Sequence, residues 1–288
     1  MNDDPKYCPN DKCIYRESPQ EGFFRRRGTY STKRQEGAPI RRYECKGCGR
    51  VFSQQSLSPE RDQKRPDIND TLAKLLCEGV TMRGCGRVLN VSYDTIKARC
   101  AWLAEQARAA HDSTLKGGKL NTGWMQFDEM VTFVHARSKA VTIPMVVRGK
   151  TGEILSMKVG RIPSNGHLAA KGKSKYGWTV NESPEACRKA LSEAAVAAKD
   201  VCTVTCDKAT SYPKLITSAI PHAIVDASKR SKATGAYDPM FRINHTCAKI
   251  RASVAVMARK TWTTTKSLPK LQDKLDIFIA VHNGYAFC

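Results

Sequence analysis

Apolar residues recur along this chain in two different rhythms. Between residues 66 and 112 they return every three or four positions. Leu72, Leu75 and Leu76 form one such set, and Gly79 closes it. That period belongs to a helix with one buried face. A second, short helix is predicted over 82–89. Leu89-Asn-Val-Ser92 follows as a tight turn, with Ser92 capping a third helix that runs from Tyr93 through Trp102 and Leu103 to about residue 110. Helix, short helix, turn and helix make the order of a helix-turn-helix; a three-helix bundle used for packing has the same pattern.

From residue 124 the rhythm shortens to that of strands. Three are predicted: 124–134, 140–147 and 154–159, the second and third joined by a turn at 149–152. A basic loop follows, Lys171-Gly-Lys-Ser-Lys-Tyr-Gly177. Ser183-Pro184 then starts a helix that turns Ala186, Ala190, Leu191 and Ala194 inward. Strand 201–206, a short helix from Tyr212 and strand 222–226 come next. After a second basic loop, Asn244 opens a helix with Ile250, Val254 and Met257 on one face, and a last helix spans 268–281. Three antiparallel strands followed by alternating helices and strands form a ribonuclease-H-like mixed sheet. In that order the first and fourth strands are neighbours, which brings Asp128 and Asp207 together.

The N-terminal segment is lean in apolar residues and carries Cys8, Cys13, Cys45 and Cys48 in two close pairs. Two cysteine pairs on opposing turns offer four thiolates to one structural zinc ion, and so small a segment needs such a staple to fold. Two basic strands lie between the pairs. Four reduced, buried cysteines are the alternative. Residues 53–65 and 113–123 read as linkers. The chain is therefore expected to be an α/β protein of three domains: a zinc ribbon over 1–52, a helix-turn-helix over 66–112 and a ribonuclease-H-like domain over 124–288.

Charge points to the partner. The net charge is +21 and the pI about 9.6; residues 1–65 carry +6, 66–115 carry none and 116–288 carry +15. An excess of that size suits a polyphosphate. No apolar run reaches 18 residues, the N-terminus is acidic and polar, and most of the 12 cysteines are scattered. A membrane span, a secretory leader and a disulfide framework are not expected; a reducing compartment, the cytoplasm, is.

Against this basic background two carboxylates stand out, each at the end of an apolar strand. Asp128 and Asp207 side by side would repel unless a cation lies between them, and magnesium or manganese, as two ions, is the cation suited to oxygen ligands and phosphodiester chemistry. A cap on a turn is the alternative for each, and Glu129 competes with Asp128 for the inward position. Tyr93, Thr95, Lys97 and Arg99 stand at the start of the presumed reading helix. Lys171, Lys173 and Lys175, close to Tyr176 and Trp178, and Arg259, Lys260 and Lys266 around Trp262 are candidate DNA contacts. His135 and His167 suit loop positioning or phosphate contact.

Several blocks resemble insertion-sequence transposases of bacteria and archaea. They are Phe127-Asp-Glu-Met-Val-Thr-Phe-Val-His135, Pro163-Ser-Asn-Gly-His-Leu168, Lys175-Tyr-Gly177, Asp238-Pro-Met-Phe-Arg-Ile-Asn-His-Thr-Cys-Ala248 and Arg259-Lys-Thr-Trp-Thr-Thr-Thr-Lys-Ser267. The similarity is to a subgroup of the family named for the first numbered insertion sequence, and it covers most of the chain. It implies metal-dependent cleavage and strand transfer at the ends of a mobile element, with double-stranded end and target DNA as partners. Two ends need two active sites, so a homodimer or larger assembly is expected on DNA. Asp128 and Asp207 fall on the family's first two acids. At the third, where many relatives have Glu, this chain has Asn244. An amide oxygen can serve a magnesium ion, His245 beside it can take a metal or a proton, and Asp238 also competes; an N-cap is the plainer role for Asn244. The neutral amide keeps a second reading open, a catalytically weak or inactive zinc-ribbon DNA-binding protein derived from a transposase. A structure-specific nuclease is a third.

Overall fold

The computed structural model describes residues 4–31, 39–227, 238–260 and 262–286. It is a mixed α/β protein whose chain forms two compact units, Met1–Asp67 and Ile68–Cys288.

The first unit is built on a three-stranded sheet of β1 (Phe24–Tyr30), β2 (Ile40–Cys45) and β3 (Val51–Ser53) in that order, with a one-turn helix α1 (Ile14–Glu17). The third strand was not expected: Val51-Phe52 is an apolar end that pairs antiparallel with β2, Phe52 opposite Tyr43. The core is small, with Phe23, Tyr43 and Phe52 around Cys8, Cys13 and Cys45. Arginines cover the outer faces of β1 and β2 as the sequence implies, and Arg25 and Arg27 both pair with buried Glu44. The predicted linker holds a short helix, α2 (Gln54–Leu57), opened by a reciprocal cap between Ser53 and Ser56.

The second unit starts with three helices, α3 (Asn69–Leu76), α4 (Met82–Val88) and α5 (Tyr93–Lys116). Ser92 caps α5 as predicted, its Oγ accepting from the Thr95 amide at 3.2 Å, and Thr81 caps α4 in the same way. The segment expected to be a second linker is instead structure. α5 runs on to Lys116, Leu115 and Leu120 are buried in the core beneath the sheet, and buried His111 holds the Leu155 carbonyl at 2.9 Å. Arg108 of α5 pairs with Asp273 and Asp276. Residues 66–112 and 124–288, divided by the sequence, therefore share one compact unit apart from the first two residues.

The large sheet has the order β6-β5-β4-β8-β9, with a short β7 also on β5. Its strands are β4 (Thr122–Phe133), β5 (Ala140–Arg148), β6 (Ile154–Met157), β7 (Gly160–Arg161), β8 (Ala198–Cys206) and β9 (Ala223–Ala227). β4, β5 and β6 pair antiparallel; β8 lies parallel to β4, and β9 parallel to β8. The first and fourth predicted strands are thus neighbours. One face of the sheet packs Phe127, Val146 and Leu155 against α7 (Ser183–Ala195) and α8 (Tyr212–Ala219). The other packs Met130, Ile143 and Met145 against α9 (Phe241–Ser253), α10 (Leu268–His282) and α3–α5.

Three local expectations change. Lys171, Lys173 and Lys175 lie on a helix, α6 (His167–Tyr176), not a loop. Ser183 is the first residue of α7 rather than its cap, and its hydroxyl donates to Glu129 at 2.6 Å. Asn244 does not open its helix either. Asp238-Pro239 makes the turn, with Asp238 Oδ1 accepting from the Met240 amide at 2.9 Å, and α9 begins at Phe241. The basic loop expected before it lies outside the described residues.

Gln126 anchors α9 to the sheet. Its Nε2 donates to the Pro239 carbonyl at 2.6 Å and its Oε1 accepts from the Ile243 amide at 2.8 Å. Gln126→Leu keeps the volume but leaves both backbone groups without that partner, so it should destabilise the protein by about 2–4 kcal/mol. Chemical denaturation measures this; an unchanged midpoint would show that Gln126 does not hold α9.

Candidate functional site

Four sulfurs meet in the first unit. The turn 8–13 is closed by the Cys13 amide on the Asn10 carbonyl, and the turn 45–49 by the Gly49 amide on the Cys45 carbonyl. Gly49 has φ +71°, which lets the chain leave the second turn without strain. Cys8 and Cys48 stand 3.7 Å apart, Cys13 and Cys45 3.6 Å, and all four sulfurs lie within 4.8 Å of one another. Thiolates roughly 2.3 Å from a central ion sit about 3.8 Å apart in a tetrahedron, so the four can hold one metal ion such as zinc. Burial pushes the Cys8 thiol up to about 12, while the Asn10 side chain leads in drawing Cys48 down to about 6. Cys48 is the ready thiolate; a cation is needed to ionise Cys8.

In the second unit, pairing of β4 with β8 sets Phe127 beside Cys206, so the next residues, Asp128 and Asp207, are neighbours. Alternation along β4 resolves the competition with Glu129. Glu129 faces α7 and α8, where Thr142, Ser183 and Cys187 donate to one oxygen and Tyr212 to the other. Asp128 shares the opposite face with Gln126, toward α9. Its Oδ1 accepts from the Glu129 amide at 2.7 Å. Burial first, and then the charge of Asp207, push the Asp128 carboxyl up to about 6. Asp207 is exposed and uses Oδ1 to accept from the Ala209 amide at 2.9 Å, so the turn-capping role is real for one of its oxygens.

α9 presents Asn244, Cys247 and Arg251 along one stripe, and the charge of Asp128 is felt at Cys247 while that of Arg251 is felt at Asp128. Asn244 Nδ2 donates to Asp238 Oδ2 at 3.2 Å. A carboxylate only accepts, so Asp238 fixes the amide's orientation and turns its oxygen away. His245, one position round the helix, stacks on Phe241 with ring centres 5.8 Å apart, and its charge acts on His282. Arg251 was missed, although it stands two helical turns from Asn244. Asp226 was missed as well: it lies one residue before the end of β9, in register with Thr205, whose hydroxyl donates to it at 3.4 Å.

β4 extends past the end of β8, and Arg259, Thr264 and Thr265 meet the hairpin there. Arg259 donates to the Val131 carbonyl at 2.8 Å, Thr264 to that of Phe133 at 3.1 Å, and the His135 amide to the Thr265 carbonyl at 2.8 Å. His135 also packs edge-on against Tyr176 of α6. The two basic segments singled out in the sequence thus converge on the β4–β5 hairpin. Lys171, Lys173, Lys175, Lys260 and Lys266 are exposed there, as are Trp178 and Trp262, at 78% and 80%. Lys173 lies over the Trp178 ring and Lys260 over the Trp262 ring. His167 is the exposed first residue of α6.

At the start of α5, Tyr93 and Lys97 are exposed and Arg99 is half-buried. Residues two apart on a helix diverge, so Lys97 and Arg99 do not share a face. Thr95 is engaged with the cap, its hydroxyl 3.0 Å from that of Ser92. Arg83 and Arg87 of α4 line a cavity of about 560 Å³ with Tyr93, two cations the sequence reading passed over.

Among the described residues, no helix is long and apolar enough to cross a membrane. Comparison with known protein families found no match, and comparison with curated proteins found none at the significance sought.

The raised Asp128 carboxyl gives a prediction with a definite sign. Its folded midpoint near 6 exceeds an unfolded value of about 3.9. Stability contributed by the protonated form is present below about pH 4 and is lost as pH rises through 6. In carboxyl-carbon NMR, Asp207→Asn should move the Asp128 midpoint down, though not to the unfolded value, because burial remains. An unchanged or higher midpoint would mean that the two acids do not interact.

Proposed function

We propose that this protein is a DNA transposase, with a zinc-stapled N-terminal ribbon, a helix-turn-helix in α3–α5 and a ribonuclease-H-like sheet that cuts and joins DNA with magnesium or manganese. The observation that carries the reading is the pairing of Asp128 on β4 with Asp207 just past the end of the parallel strand β8, where Asp128 is desolvated and the charge of Asp207 raises its cost of ionisation further. Such a pair is expensive in a resting protein and is relieved by a divalent cation. That cation would supply an activated attacking oxygen and a stabilised leaving oxygen on a phosphodiester.

The chain's own groups support the rest. Asn244 presents an amide oxygen on the stripe of α9 that faces Asp128, held in orientation by Asp238, and is the favoured third ligand. Arg251 supplies a positive charge beside Asp128 where a scissile phosphate would lie. His245 is the weaker candidate for ligand or proton carrier, since its ring is engaged with Phe241. The basic helix α6 and the cations Arg259, Lys260 and Lys266, with the exposed indoles of Trp178 and Trp262, give DNA a cationic and aromatic track. Tyr93 and Lys97 with Arg83 and Arg87 form the surface suited to the DNA ends, and in the first unit Arg41 and Arg42 suit phosphates. An assembly of two or more copies follows from the need to join two ends.

A cleavage assay on DNA carrying the element's ends tests this. Asp128→Asn and Asp207→Asn should each lose at least a thousandfold in magnesium-dependent cleavage with end binding retained. Asn244→Ala should lose cleavage, and Asn244→Asp should retain more of it. Wild-type rates in Asp128→Asn would sink the enzyme reading and leave a DNA-binding protein. For the ribbon, the intact chain should carry one zinc per copy by elemental analysis, and Cys45→Ser should lose both zinc and end binding. Full zinc content in that variant would overturn the ligand set.

A further inference from the structure

A cavity of about 460 Å³ opens on the same face of β4 as Asp128, between β4, the β5–β6 turn and the start of α9. Its size is in the range of small-ligand sites. We propose that it holds one unpaired nucleotide of the DNA strand being processed, with the base between Trp124 and Phe241 and the phosphate on Lys150 and Arg242. The inference rests on the transposase reading for its choice of DNA as the ligand.

Trp124 is a fixed platform. Its indole nitrogen donates to Thr205 Oγ1 at 2.9 Å, and its ring lies against the bare backbone of Gly149, where a Cβ would come within 2.2 Å of the indole. A side chain at position 149 would push the ring aside, so glycine is required there for close approach. Two restraints on one ring leave it little freedom to lose when a base stacks on it. Phe241 opens α9, 54% exposed as a residue, with its ring backed by the stacked imidazole of His245. An exposed phenylalanine held in place from behind offers a stacking surface at the cavity.

The charges suit the same ligand. Lys150 and Arg242 are both exposed at the rim, and Arg242 lies 5.7 Å from the Phe241 ring. The one carboxylate in the lining, Asp238, is occupied from within by the Met240 amide and the Asn244 side chain. Two aromatic walls with two cations at the mouth match a base with its attached phosphate, because every base has a π-face and stacking is tolerant of sequence. The distance fits too. Trp124 and Asp128 are four residues apart on one strand, roughly 13 Å, so a strand cut at Asp128 passes the cavity within a few nucleotides. A base enters it only when it has left the duplex stack.

The test uses the full chain and a single-stranded octanucleotide with 2-aminopurine at its centre. Stacking should quench the fluorescence on binding. Phe241→Ala should weaken binding about tenfold and restore fluorescence at saturation, while Phe241→Tyr retains the quench. Lys150→Ala combined with Arg242→Ala should weaken binding and keep the quench at saturation. Phe241 is exposed, so its replacement leaves the fold standing, and thermal melting confirms this for each variant. Quenching and affinity unchanged in Phe241→Ala would overturn the proposal. A Phe241-dependent quench in a chain that cleaves no end-containing duplex would keep the cavity and discard the transposase. Cleavage of such duplexes without a Phe241-dependent quench would do the reverse.

Discussion

The parallel pairing of β4 with β8 is the constraint on which the second unit turns. It is a non-local contact, made across more than seventy residues that include three further strands and two helices. Register within it is strict, because a slip of one residue would send Asp128 toward α7 and α8 and Glu129 toward α9. The two cores set that register: Phe127 and Val204 go to one side, Gln126 and Thr205 to the other. Gln126 then fixes the start of α9 through two backbone groups. The acid pair, the amide on α9 and the cavity at Trp124 are all placed by one strand pairing and one glutamine.

Glu129 and Asp128 show how a sheet gives adjacent acids opposite fates. Glu129 is satisfied by four side-chain donors and serves packing between the sheet and α7 and α8. Asp128, one residue away, receives a single backbone amide and faces another carboxylate. The first arrangement spends the acid on structure. The second leaves it available to a cation, which is the physical reason for assigning chemistry to Asp128 and none to Glu129.

Much of this was legible in the sequence where one rule governs one element. Ser92 reads as a cap and is one, and apolar runs mark β4, β5 and β8. The four cysteines meet because their pairs lie on opposing turns. Other features depend on contacts that no local pattern announces. The stretch 113–123 looks like a linker by its glycines and lysines, yet Leu115 and Leu120 are core residues and α5 continues into it. The lysines of α6 look like a loop because Gly172 interrupts them; that glycine is buried close to Ser138 and Ser164, where a side chain would not fit. Arg251 and Asp226 were invisible for a similar reason: their place at the site comes from helix orientation and strand order, not from their neighbours in the chain.

A divalent ion between Asp128 and Asp207 is the central claim, and replacing it with iron tests it most directly. With Fe²⁺, ascorbate and peroxide, a bound ion cuts the polypeptide nearest to it. Scission should appear next to residues 128 and 207 and in the first two turns of α9. Excess magnesium should suppress it, and Asp128→Asn should abolish it. Cuts confined to the cysteine cluster, or cuts at 128 and 207 that neither magnesium nor the substitution affects, would contradict a cation held by these two acids.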